Sequence, residues 1–115
     1  DVIVSFPESD LSPAGHGAIL APWPNRLDRG AFTFDGVDYQ LPVTEIARGT
    51  ALHGLVQHER WSIESLTTTS AVLALESVPL GGYPWQLGMR ARYELRGSDL
   101  TIEVSATNRS ESAAP

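Results

Sequence analysis

Leu87-Gly88-Met89-Arg90-Ala91-Arg92-Tyr93-Glu94-Leu95-Arg96, then Gly97-Ser98-Asp99, then Leu100-Thr101-Ile102-Glu103-Val104-Ser105-Ala106-Thr107 is the stretch on which the fold turns. Leu87, Met89, Ala91, Tyr93 and Leu95 fall on one side of an extended chain, and Arg90, Arg92, Glu94 and Arg96 fall on the other. The period is two, the signature of a half-buried strand rather than a helix. After the Gly97-Ser98-Asp99 turn, Leu100, Ile102, Val104 and Ala106 repeat the alternation against Thr101, Glu103, Ser105 and Thr107. These runs predict an antiparallel hairpin with one dry and one wet face.

Further hairpins lie upstream. Ala31-Phe32-Thr33-Phe34 and Val37-Asp38-Tyr39-Gln40-Leu41 flank Asp35-Gly36, a dipeptide that favours the type I′ turn. Trp61 to Leu66 and Ala71 to Val78 read as a third pair, joined by Thr67-Thr68-Thr69-Ser70, and Val2 to Phe6 reads as a short strand before Pro7. No window carries a capped apolar stripe at helical spacing. Leu11 to Asn25, broken by three prolines and two glycines, reads as loop. Hairpins without helices predict an all-β protein, an antiparallel β-sandwich. The chain begins at Asp1 and stops in Ser110-Glu111-Ser112-Ala113-Ala114-Pro115. The expectation is a single partial sandwich domain over 1–115, truncated at both ends, with apolar strand faces lacking their cover.

Composition narrows the function classes. The net charge is −6, and all eight basic residues are arginine. That balance argues against nucleic acid, whose phosphates call for a surplus of cations. It disfavours a strongly anionic substrate as well. No apolar run approaches a membrane span, so neither membrane nor nucleic acid is an expected partner. Cysteine is absent, which excludes disulfides, thiolate catalysis and Cys-based zinc sites and fits a reducing, cytoplasmic setting. The three histidines have no His-x-His or His-x-x-His spacing, so no metal site is expected.

Two short stretches carry the chemistry. Pro22 and Pro24 stiffen the run through Trp23 and present Asn25 and Arg26. An amide offers donor and acceptor, and a guanidinium offers a planar fork of donors, which together match neighbouring hydroxyls of a sugar ring. Trp23 either stacks on the apolar face of such a ring or belongs to the core, and Arg26 has Asp28 or a backbone carbonyl as its structural alternative. Leu52-His53-Gly54 follows, with His53 lying 27 residues after Arg26. A neutral imidazole there can hydrogen-bond a hydroxyl or a ring oxygen. Asn25, Arg26 and His53 are expected to meet on one concave sheet surface. His58 lies in a charged run and His16 in a loop. Among Glu59, Glu64 and Glu76 no pair has a spacing that demands a shared site, and alternation turns Glu64 outward. No Gly-x-Ser-x-Gly elbow is present, Gly15-His16-Gly17 lacks the rest of a nucleotide-binding fingerprint, and Asn108-Arg109-Ser110 matches a glycosylation sequon by pattern only.

In this order the motifs resemble the aldose 1-epimerase (galactose mutarotase-like) family. The matching stretches are Pro22 to Leu27, Gly30 to Gly36, Ala51-Leu52-His53-Gly54 with Trp61 downstream, Gly82-Tyr83-Pro84-Trp85, and the Tyr93 to Asn108 hairpin. The resemblance implies a larger antiparallel β-sandwich, well over twice this length, that binds free aldohexoses such as galactose or glucose and interconverts their α and β anomers. It assigns Asn25 and Arg26 to sugar hydroxyls, gives His53 a supporting role near the reacting end, and implies a chemistry that requires no metal or cofactor. The family's proton donor, a histidine in a His-Pro-Tyr or His-Val-Tyr motif, and its proton acceptor, a later glutamate, are absent from these residues and expected beyond Pro115. A non-catalytic carbohydrate-binding β-domain is the alternative. Epimerisation of a sugar phosphate is a third reading, disfavoured by the acidic, lysine-free sequence.

Overall fold

A computed structural model describes residues 4–7, 9–10 and 12–115. Eight strands occur among them. In chain order they are β1 (Arg26–Asp28), β2 (Ala31–Phe34), β3 (Val37–Gln40), β4 (Thr50–Leu52), β5 (Ser62–Leu66), β6 (Ser70–Glu76), β7 (Leu87–Arg96) and β8 (Asp99–Asn108). Two one-turn 3-10 segments, Pro13–Gly15 and Ile46–Arg48, are the helical elements among the described residues. All strand pairing is antiparallel: β5-β6-β7-β8 form a four-stranded sheet in sequence order, while β1-β4 and β2-β3 form two-stranded ribbons.

The long hairpin pairs Leu87 with Asn108 through to Arg96 with Asp99. Gly97 turns it with φ 61°, the positive value that the first position of a type II′ turn demands, and Asp99 joins the strand rather than the turn. At the β2–β3 turn Asp35 and Gly36 both take positive φ, 52° and 75°, as type I′ requires. β5 and β6 fall on the third expected pair with slightly different ends, and a bulge between Ile63 and Ser65 shifts their register. The expected strand from Val2 to Phe6 lies partly outside the described residues. From Val4 to Phe6 the backbone forms no strand with any described residue, so the expectation is corrected for that part.

The ribbons pack as a small second layer over one end of the four-stranded sheet. Leu41, Ala51, Val56, Tyr83, Trp85, Leu87 and Met89 form the buried cluster, with Leu27, Phe32, Phe34 and Tyr39 leaning on it from the ribbons. Trp85 is its hub, with ring centres 4.8 Å from Tyr39, 5.0 Å from Tyr83 and 5.5 Å from Phe34. Its indole N–H donates to Ser112 Oγ, and the Tyr83 hydroxyl donates to the Pro115 carbonyl, so the last residues are laid along the core. Gly82 is buried because its backbone lies against Gln40 and Leu41 with no room for a Cβ. Gly82, Tyr83 and Trp85 of the Gly82-Tyr83-Pro84-Trp85 motif thus pack into the core.

The wet face is an array of ion pairs: Arg90 grips Glu64 through two bonds, and Arg92 and Arg96 share Glu94. The dry face is dry only over part of its length. Leu87, Met89 and Ala91 are buried, but Leu95, Ile102 and Val104 are 45–49% exposed, and Ile63 and Leu66 are more open still. No described residue is laid over that end of the sheet in the way the ribbons cover the other.

Candidate functional site

The site grows from the three-residue ribbon β1–β4, in which Arg26 lies opposite Leu52 and Leu27 opposite Ala51. Leu27 and Ala51 point to the core, so Arg26 and Leu52 occupy the outer side. Just outside the paired residues, Asn25 and His53 both adopt left-handed backbone, with φ 60° and 64°. Asparagine and histidine are among the residues that tolerate this conformation best. It lets the two residues clasp: the His53 N–H donates to the Asn25 carbonyl at 2.8 Å, and the Asn25 N–H donates to His53 Nδ1 at 3.2 Å. With Nδ1 accepting, a neutral imidazole carries its proton on Nε2 as a donor.

Gly54 sets this clasp in place. Its backbone bridges Ala21, and a Cβ there would run into the Ala21 carbonyl. The Leu55 N–H donates to the same carbonyl at 2.7 Å. The segment before Pro22 and the segment after His53 are therefore bolted together at one point.

Arg26 is held by three hydrogen bonds to two side chains. Its Nε donates to Glu45 Oε2 at 2.6 Å, Nη2 to Glu45 Oε1 at 2.9 Å, and Nη1 to Asn25 Oδ1 at 3.1 Å. The Thr50 hydroxyl donates to Glu45 Oε2 at 2.8 Å, and Arg48 stands 3.5 Å from Oε1. The hydrogen bond from Arg26 is the main cause that holds the Glu45 carboxyl at about 2, opposed by desolvation and helped by Thr50 and by the nearby charges of Arg26 and Arg48. Arg26 is correspondingly raised, chiefly by the same bond. Neither Asp28 nor a backbone carbonyl takes the Arg26 fork.

The structure thus brings Asn25, Arg26 and His53 into one hydrogen-bonded cluster, and adds Glu45 and Thr50 to it. Their setting departs from expectation: the three lie on a short ribbon, not on the face of the large sheet. A cleft of about 460 Å3 adjoins them, lined by Trp23, Leu52, Gly54 and His58 among others, but Asn25, Arg26 and His53 are not among its lining residues. Its size suits a small-molecule ligand. Trp23 packs against the core edge, 6.5 Å from Tyr83, while also lining the cleft, so its two readings are compatible. Its indole N–H is buried without a hydrogen-bond partner among the described residues. Glu59 lines the cleft, whereas Glu64 and Glu76 face the arginines of the wet sheet face. Among the described residues no group of three metal-ligating side chains comes together.

Glu45 is the residue sequence reasoning missed. With fourteen acids available, nothing in the spacing singles it out as the partner of Arg26. Its position comes from the turn Ile46–Arg48 and Gly49, which fold the backbone so that Glu45 and Thr50 bridge each other.

The aldose 1-epimerase family profile matches residues 1–115. The chain belongs to the aldose 1-epimerase family. Among its relatives, the uncharacterized protein YihR of Escherichia coli (strain K12) is 38% identical over 115 residues, covering 99% of this chain and 37% of that protein. The galactose mutarotase of Mus musculus is 29% identical over 112 residues, covering 92% of this chain and 32% of the relative. The chain therefore spans about a third of the length of the curated relatives it matches. A crystal structure of a galactose mutarotase-like protein from Clostridium acetobutylicum superposes with a TM-score of 0.63 at 20% identity, over 74% of this chain and 28% of the other. That likeness establishes the mutarotase-like β-sandwich fold. Within this aldose 1-epimerase family chain no helix among the described residues is long and apolar enough to cross a membrane.

Proposed function

We propose that this chain forms the sugar-binding front of an enzyme that interconverts the α and β anomers of free aldoses. The observation that carries the reading is the hydrogen-bonded cluster of Asn25, Arg26 and His53, three residues matched to the family by their motifs. In this reading Arg26 and the Asn25 amide bind hydroxyls, while the Nε2–H of His53 donates to an oxygen near the reacting carbon. His53 is not the base, because its one acceptor nitrogen already takes the Asn25 N–H.

The chemistry requires a base to remove the C1 hydroxyl proton and an acid to protonate the ring oxygen. The C1–O5 bond breaks, the aldehyde rotates, and closure on the other face returns both protons. Each positioned proton-transfer group contributes about a hundred- to ten-thousand-fold. By family resemblance those two groups, a histidine and a glutamate, belong to residues after Pro115. A cytoplasmic setting is part of the proposal, supported by a sequence without cysteine.

The test is polarimetry of freshly dissolved α-D-galactose and α-D-glucose with a polypeptide of the relatives' length that contains this chain. Acceleration over buffer is expected, with Arg26→Ala weakening sugar binding. Sugar binding without acceleration would replace the enzyme by a carbohydrate-binding domain. If the rate stays at the buffer value and Arg26→Ala leaves sugar affinity unchanged, the sugar reading fails.

A further inference from the structure

Arg26 would be a poor hydroxyl reader if its guanidinium were free to swing. A long, half-exposed side chain loses rotamer freedom on binding, and an uncompensated cation favours anionic ligands over neutral ones. Both problems are met by the carboxylate of Glu45.

We infer that Glu45 is a positioning residue, which locks the Arg26 guanidinium into a charge-compensated fork whose two remaining donors suit hydroxyls of an uncharged sugar. The inference rests on the sugar-binding reading above and deepens it. A guanidinium has five N–H groups. Three are occupied here, two by the Glu45 oxygens and one by Asn25 Oδ1, which leaves one on each terminal nitrogen. Edge-on pairing with a carboxylate fixes the plane of the fork as well as its position.

Glu45 is itself fixed. Its backbone N–H donates to the Thr50 carbonyl at 2.9 Å, Thr50 returns a bond at 3.3 Å, and the Thr50 hydroxyl, on a residue only 8% exposed, donates to Oε2. The chain of contacts runs from the buried ribbon edge through Thr50, Glu45 and Arg26 to Asn25, and from Asn25 to His53. An ordinary exposed ion pair contributes little, because both partners move and water screens them. Here the acid is anchored on its far side by a buried hydroxyl and on its near side by two parallel bonds. That is the arrangement of a supporting group behind a binding residue.

The experiment compares wild type, Glu45→Gln, Thr50→Val and Arg26→Ala in the relatives'-length polypeptide. It measures KM and kcat for mutarotation of galactose by polarimetry, and galactose affinity by calorimetry. Glu45→Gln is expected to raise KM and Kd about tenfold to a hundredfold, with kcat nearly unchanged. Thr50→Val, an isosteric change, is expected to shift both the same way by less. The Arg26 side-chain 15N–1H signals give a readout that general destabilisation would not move. Separate terminal N–H resonances in wild type should merge in Glu45→Gln as the guanidinium begins to rotate. Unchanged affinity in Glu45→Gln beside a weakened Arg26→Ala overturns the role of Glu45 and leaves the sugar reading standing. Unchanged affinity in Arg26→Ala overturns both. Should Glu45→Gln not fold, Thr50→Val decides: wild-type affinity and unaltered Arg26 signals overturn the inference.

Discussion

The Glu45 carboxyl, held at about 2 by its bonds from Arg26 and Thr50, links the candidate site to acid stability. Its ordinary value is 4.5, so the folded state binds this proton less readily than the unfolded chain. A depressed carboxyl contributes stability that is fully present above the unfolded value and is lost as pH falls through the folded one. The contribution should therefore be intact at pH 6 and decline between about 4.5 and about 2. Glu64 and Glu94 are lowered too, each mainly by an arginine hydrogen bond, so acid unfolding as a whole reports several groups. The difference between wild type and Glu45→Gln isolates one of them. Thermal midpoints should differ most at neutral pH and converge as pH approaches 2. A gap that stays constant over that range would show that the carboxylate's charge contributes nothing to the fold. The same residue shows where reading a sequence stops. That Asn25, Arg26 and His53 offer hydrogen-bonding groups was legible, because proline stiffening and hydrogen-bonding inventory are local properties. The clasp between Asn25 and His53 depends on two left-handed residues 28 positions apart, and the Arg26–Glu45 pair spans 19, with no periodic signal marking either.

At the scale of elements, long alternating strands were legible and short ones were not. β7 and β8 offer ten residues each of clear period-two pattern, and Asp35-Gly36 announces its own turn. β1 and β4 have three residues each, too few for a period, and their pairing is set by the close approach of Ala21 to Gly54. Close approaches of this kind can be tested at Gly81-Gly82. Gly82 is buried, and a Cβ there would meet the Gln40 carbonyl and Leu41 Cα, which are backbone atoms that cannot step aside; a Cβ on Gly81 meets nothing within 4 Å. Neither glycine has positive φ, so the contrast is steric alone. Gly82→Ala should lose about 1–3 kcal/mol, the range of an overpacked core. Gly81→Ala should stay within about 0.5 kcal/mol. Pulse proteolysis across a urea series at low chain concentration measures both. Equal stabilities would mean that the contact between the Gly82-Tyr83-Pro84-Trp85 motif and β3 is not what seats the core.

For the whole molecule, surface area is the decisive quantity. A folded monomer of 12.4 kDa is expected to expose about 6,100 Å2. This chain exposes 8062 Å2, and its radius of gyration of 15.8 Å exceeds the value of about 13 Å for a compact domain of this length. The excess of about 1,900 Å2 is more than twice the roughly 800 Å2 that one partner contributes to a standard protein–protein interface. Part of it lies where the dry face continues past the ribbons, at Ile63, Leu66, Leu95, Ile102 and Val104. β8 adds a ten-residue outer strand whose second edge pairs with no described residue. Open edges and apolar faces together favour association with other chains. The 115-residue chain on its own is therefore expected to self-associate and bind a hydrophobic dye in the folded state. Replacing Ile63, Ile102 and Val104 by threonine keeps β-branching while making the face polar, so it should reduce association without removing the strands. Sedimentation velocity over a tenfold concentration range measures the first effect and far-ultraviolet circular dichroism the second. A wild-type chain that sediments as a single monomer at every concentration, with no dye binding, would show that this face is stable in water as it stands.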